Sequence, residues 1–174
     1  MKRATRDVLN CKTAASVASL AAMAAVPASA ATKNVSDPEG DQFTVGYDVR
    51  SVRYTNEPDA VTSAVWLARL RTDARVDFQV ASRDGNSEIY GAVVQRRDGR
   101  TRAQLWHYAV EGPGQKVDCD LSARWSAGKR RVAVEVPASC LDFELAQVNM
   151  STYVSKKGAK TWSDVSASRL VSQG

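Results

Sequence analysis

The chain has 174 residues, 24 of them basic and 19 acidic, with a formal net charge of +5 and a pI of about 9.3. Four of the bases (Lys2, Arg3, Arg6 and Lys12) and one acid (Asp7) fall in the first twelve positions, so the remainder sets 20 bases against 18 acids, a net charge of about +2. That near balance excludes reading the high pI as a nucleic-acid-binding signature, and a single histidine, His107, excludes a histidine-rich zinc site.

The early bases precede a charge-free run dominated by Ala, Val, Leu and Met that closes on Pro27-Ala28-Ser29-Ala30. This order predicts a secretory signal peptide over 1–30, cleaved after Ala30. The apolar core from Ala14 to Ala28 falls short of the roughly 20 residues a membrane-spanning helix needs, so the expected product is secreted, extracellular and free of the membrane once cleaved. Cys11 precedes the apolar run, where a lipid-modified cysteine would follow it, and is expected to leave with the signal. An N-terminal segment over 31–41 and one domain over 42–174 remain.

Strands are predicted in order over Gln42 to Tyr54, Val61 to Leu70, Val76 to Val80, Glu88 to Arg96, Arg102 to Val110, Leu121 to Trp125, Val132 to Val136, Ala146 to Met150 and Lys160 to Val171. Strict alternation is clearest in Val76, Phe78 and Val80 and in Val132, Val134 and Val136. Val61, Ala64, Val65 and Ala68 would also suit one helix face. Turn signals separate the strands, among them Asp84-Gly85-Asn86, Gly112-Pro113-Gly114, Ala127-Gly128, Lys157-Gly158 and, for a two-residue hairpin, Asp98-Gly99. The fold class is therefore all-β, an antiparallel β-sandwich of jelly-roll or immunoglobulin-like type.

In an oxidising compartment Cys119 and Cys140 are expected to form one disulfide. If every connection reverses the chain, those near 84, 113 and 140 share one end of the domain and those near 73, 98, 128 and 157 the other. Both cysteines then lie together. Acids (Asp84, Glu88, Glu111, Asp118, Asp120, Asp142, Glu144) gather at the first end. The second end holds a candidate anion-binding set, Arg96, Arg97, Arg100, Arg102, Lys129, Arg130 and Arg131, with Arg71, Arg75, Lys156 and Lys157. Its expected partner is an anionic cell-wall or extracellular polymer, with no specific nucleic acid; the alternative is a set of solvated hairpin tips.

Trp106 and Tyr108 share one face of their strand and Leu105 and His107 the other. If the Leu105 face is core, the two aromatics form a ligand platform on which a sugar can stack; otherwise both faces are buried in a central strand. Trp66, Trp125 and Trp162 are expected in the core. Asp37, Glu39, Asp41 and Asp48 are hard oxygen donors beside Gly40, a candidate calcium site, although turn formation also accounts for them.

The segment Asp37-Pro38-Glu39-Gly40-Asp41 and the following Tyr47-Asp48-Val49-Arg50-Ser51-Val52-Arg53-Tyr54 resemble the start of small secreted actinobacterial proteins of unknown function. The resemblance implies a β-sandwich with a late cysteine pair. More distantly the layout is similar to DOMON-type and family 9-like carbohydrate-binding sandwiches, which implies structural calcium near the N-terminus and sugar-binding aromatics on one sheet. No G-x-S-x-G elbow accompanies His107. The expected function is a non-catalytic binding module for a sugar or anionic polymer; the alternatives are a small hydrolase with a carboxylate pair and a structural or inhibitory protein with a protein partner.

Overall fold

The computed structural model of the protein describes residues 31–42, 47–83, 88–109 and 112–174. The signal segment over 1–30, and Asp84 and Glu111 of the acidic set, lie outside the described residues. Twelve strands form within them: β1 (Ala31–Ser36), β2 (Val49–Asn56), β3 (Ala60–Leu67), β4 (Ala74–Ser82), β5 (Ile89–Arg97), β6 (Arg100–Tyr108), β7 (Gln115–Val117), β8 (Ser122–Ser126), β9 (Arg131–Pro137), β10 (Gln147–Lys156), β11 (Asp164–Val165) and β12 (Arg169–Ser172).

Two antiparallel sheets pack against each other. One has the order β1-β2-β3-β9-β8, the other β11-β10-β4-β5-β6-β7, with β12 pairing β10 beyond β11. The expected sandwich and disulfide are both present. The alternating valines explain why. Val132, Val134 and Val136 of β9, Val76, Phe78 and Val80 of β4 and Val94 of β5 all point into one shared core, and all are at most 3% exposed. At about 25 cal/mol per Å² of apolar surface, each such side chain stabilises by roughly 1.5–3 kcal/mol.

The region over 61–70 resolves to a strand, not a helix. β3 lies between β2 and β9, so Ala60 and Ala64 on its outer face are buried along with inward Val61 and Val65. Burial on both faces produces the helix-like spacing of apolar residues.

Asp98 and Gly99 form the two-residue turn between paired Arg97 and Arg100, with φ of 52° and 74°. Three regions depart from expectation, the first being β7, which forms over Gln115–Val117 where no strand was expected. β1 occupies the segment read as an N-terminal extension, and the stretch over 160–171 divides into β11 and β12.

The reversing connections hold. The amide of Lys157 donates to the Asp73 carbonyl (2.7 Å) and that of Leu67 to the Arg130 carbonyl (2.9 Å), which puts those turns at one end. The amide of Ala138 donates to the Asp59 carbonyl (2.7 Å) at the other. The chain leaves β7 and enters β8 without reversing, so one bent strand serves both sheets. Cys119 stands at that crossing and bonds Cys140, 21 residues on, with Cα atoms 6.0 Å apart. Closing a loop of this length stabilises by about 3 kcal/mol in the chain-entropy account.

Polar groups also tie the sheets. The Tyr54 hydroxyl bonds Thr152 Oγ1 (3.0 Å) and Ser166 Oγ (2.7 Å), and Asn56 Nδ2 donates to the carbonyls of Leu145 (2.7 Å) and Val171 (3.1 Å).

Candidate functional site: a groove on the seven-stranded sheet

Alternation in β4 sends Val76, Phe78 and Val80 into the core and Arg75, Asp77 and Gln79 to the outer face of the seven-stranded sheet. An outward aspartate ordinarily meets water. Asp77 does not: it is 0% exposed. Neither carboxylate oxygen accepts a hydrogen bond from any described residue, and its one ion contact is Arg75 Nη2 at 3.6 Å. Desolvation pushes the Asp77 carboxyl up to about 6, against the opposing pull of Arg75. The Nε of Arg75 is itself buried without a partner.

Tyr108 accounts for part of this cover. It projects from β6 on the same outer face and lies flat beside Gly91 of β5. A Cβ on Gly91 would stand 2.7 Å from both Asp77 Oδ1 and Tyr108 Cε2, and one on Gly114 would stand 2.6 Å from Tyr108 Cε1. The ring therefore fits between two positions where only glycine leaves room. Its hydroxyl is raised by the same desolvation and then by the Asp77 charge.

From the other side the segment after β10 folds across the sheet. Trp162 tilts against Tyr153 (centroids 5.3 Å apart) and lies over the Arg75 guanidinium (5.4 Å). Between these walls runs a groove of about 370 Å³ lined by Arg75, Gln79, Ile89, Tyr108, Lys160 and Trp162. It pairs aromatic walls with a few fixed polar groups, the ordinary composition of a small-ligand site.

The expected platform is met in part. Leu105 is 1% exposed and belongs to the core, so Trp106 and Tyr108 do share an outer face, both half-buried. Tyr108 lines the groove; Trp106 lies further along the strand, opposite Lys116. Of the tryptophans assigned to the core, only Trp125 packs against it. Trp162 walls the groove, and Trp66 sits on the outer face of the other sheet beneath Arg53 and Arg131.

The basic set separates. Arg96, Arg97, Arg100, Lys129 and Arg130 stand at or beside the turns of one end, where Arg96 donates to the Gly99 carbonyl, Arg97 faces Asp98 (3.8 Å) and Arg130 Nη1 donates to the Ala68 carbonyl (3.1 Å). Arg102 instead points outward from β6 and Arg131 lies over Trp66 (5.0 Å). The same end also carries acids: the amide of Ala68 donates to the Asp48 carbonyl (2.8 Å), and Arg50 pairs with Glu39 and Asp48. The end is thus mixed in charge. His107 faces inward, bonded to Glu88 and stacked on Tyr90 (4.8 Å).

The four candidate calcium ligands also separate. Glu39 and Asp48 are engaged by Arg50, while Asp37 and Asp41 converge with Asp164, from the far end of the chain, with carboxylate oxygens within 4.8 Å. Asp164 Oδ2 accepts from the Val49 amide (2.7 Å) and Oδ1 from the Val165 amide (2.8 Å). Asp37 Oδ2 and Gln42 Oε1 are buried without donors. Burial, then the neighbouring charges of Asp164, Asp41 and Asp48, lifts the Asp37 carboxyl to about 6. Three convergent carboxylates suit a hard cation such as calcium.

No protein-family model, curated protein or solved structure matches the chain.

Proposed function

We propose that this protein is an exported binding module that holds a sugar unit in the groove between Tyr108 and Trp162. The observation that carries the reading is the groove lining itself, in which Tyr108 and Trp162 form aromatic walls around the polar side chains of Arg75, Gln79 and Lys160. A sugar answers both features at once. Its hydroxyls bond to Gln79, Arg75 and Lys160 of the lining, and its C–H faces lie against aromatic rings. Binding fits better than hydrolysis, because glycoside hydrolysis uses two carboxylates about 5–10 Å apart, whereas the described lining of the groove carries none and Asp77 lies singly beneath it.

Titration with oligosaccharides, followed by tryptophan fluorescence, tests this. Tyr108→Ala and Trp162→Ala are each expected to weaken binding about tenfold, since each removes a stacking wall worth roughly 0.5–1.5 kcal/mol beyond its area. Unchanged affinity in Tyr108→Ala, or no sugar bound by the unsubstituted protein, defeats the proposal.

A structural calcium ion at Asp37, Asp41 and Asp164 is a second element of the reading, favoured by their convergence. Millimolar calcium is expected to raise the melting temperature, and Asp41→Ala to abolish that rise. An identical melting temperature with calcium and with chelator removes the ion from the account.

A further inference from the structure

On the face opposite the groove, pairing across the five-stranded sheet aligns Arg53, Ala64, Ala133 and Arg124 in one row, and Ser51, Trp66, Arg131 and Ser126 in the next. Strands stand about 4.8 Å apart, so Arg53 and Arg124 are some 14 Å apart across a floor of two alanines. The guanidinium groups of Arg53 and Arg131 lie over the Trp66 ring at 5.8 and 5.0 Å. Asn34 Oδ1 accepts from Arg53 Nε (3.0 Å), which fixes that guanidinium and leaves its outer nitrogens free. The Nε of Arg131 is buried without a partner.

Three arginines elsewhere carry ion pairs, Arg50 with Glu39, Arg75 with Asp77 and Arg97 with Asp98; what sets this face apart is the shared tryptophan and the alignment across the sheet. Among the described residues no carboxylate comes within ion-pair distance of Arg53, Arg124 or Arg131. Glu135 shares the face and, with Arg124 and Arg131, lines a shallow depression of about 270 Å³, but it bridges to neither. Three guanidinium groups without a carboxylate partner, two of them held over Trp66, form a receptor for oxyanions, which they can grip with paired N–H bonds.

We propose that this face binds an acidic polysaccharide, independently of the groove. Two observations select that class over nucleic acid. The Trp66 ring on this face is covered by guanidinium groups, which denies a base its stacking platform there. The positions around the arginines are Ser51, Thr55, Thr62 and Ser122, with Glu135 between the last two, and the four hydroxyls are suited to hydrogen-bond sugar hydroxyls. The anionic group is a carboxylate or a sulfate, and the two are separated by experiment.

Binding of the purified protein is measured to polygalacturonate, dextran sulfate, neutral dextran and single-stranded DNA at low and high salt. Salt-sensitive binding to polygalacturonate or dextran sulfate is expected, with any hold on neutral dextran through the groove weaker, insensitive to salt and lost in Tyr108→Ala, and the polymer retained more strongly identifies the oxyanion. Arg53→Gln combined with Arg131→Gln should weaken it at least about tenfold, because each removes hydrogen bonds to a charged group. Arg124 touches no ring, so Arg124→Gln, expected to weaken binding several-fold, keeps the test valid should the double variant fold poorly. Arg96→Gln with Arg97→Gln, at the end of the domain, should leave binding unchanged, as should Tyr108→Ala in the groove. The proposal is overturned if neither acidic polymer is bound, if Arg124→Gln and the double variant bind like the parent, if the loss follows Arg96 and Arg97 instead, or if DNA is bound more tightly than both acidic polymers.

Discussion

Asp77→Asn is expected to raise stability at pH 8 by about 3 kcal/mol. The folded carboxyl sits at about 6, against an ordinary value of 3.8. Because the folded state holds the proton more tightly than the unfolded chain, Asp77 costs nothing below pH 3.8, and its penalty grows between pH 3.8 and 6 and is complete above 6. At about 1.36 kcal/mol per pH unit, the interval between those two values amounts to roughly 3 kcal/mol. Asparagine keeps the shape and carries no charge to desolvate, so the gain over the parent should vanish by about pH 4. Melting curves of both proteins from about pH 4 to 8 measure this. An equal difference at both extremes, or a less stable variant at high pH, shows that burial does not penalise the Asp77 charge as described. A gain of that size would mark Asp77 as a residue the fold does not require.

Gly91→Ala is the second large effect expected. The new Cβ would meet a carboxylate oxygen and a ring carbon at 2.7 Å, and Tyr108 cannot retreat because Gly114 closes its other side. Overpacking of this kind costs typically about 1–3 kcal/mol. The ring is one of two obstacles, and removing it also frees space into which the Asp77 carboxylate can move, so in a Tyr108→Ala background the same substitution should cost less. A double-mutant cycle by urea denaturation reads this coupling directly. Additive effects of the two substitutions would show that Gly91 is not there to seat the ring. Sugar affinity should fall with Gly91→Ala as it does with Tyr108→Ala, since both displace the same wall.

The strands of the core were legible wherever alternation met burial, as in β4 and β9, and the disulfide followed from two cysteines on connections of equal parity. Strand β1 was not legible, because Ala31-Thr32-Lys33-Asn34-Val35-Ser36 offers one fully buried apolar side chain, Val35, and the rest depends on pairing with β2. The groove was half legible. Tyr108 announced itself by sharing a face with Trp106. Asp77 did not, since an acid at an outward strand position reads as solvated, and only the seating of Tyr108 between two glycines and the return of Trp162 bury it. Trp66 and Trp162 misled because large aromatics usually fill cores, whereas here arginines supply the cover. Asp164 joined Asp37 and Asp41 through the placement of β11 beside β10, which no local pattern records.

The sandwich is two sheets thick, with about 10 Å between them, so the groove and the arginine face look in opposite directions. Were both proposed sites filled, polymers held on the two sides would not compete for space, and one copy would suffice to rivet them together. Mixing the monomer with both polymers should thicken the solution without any oligomer forming, since valency comes from having a front and a back.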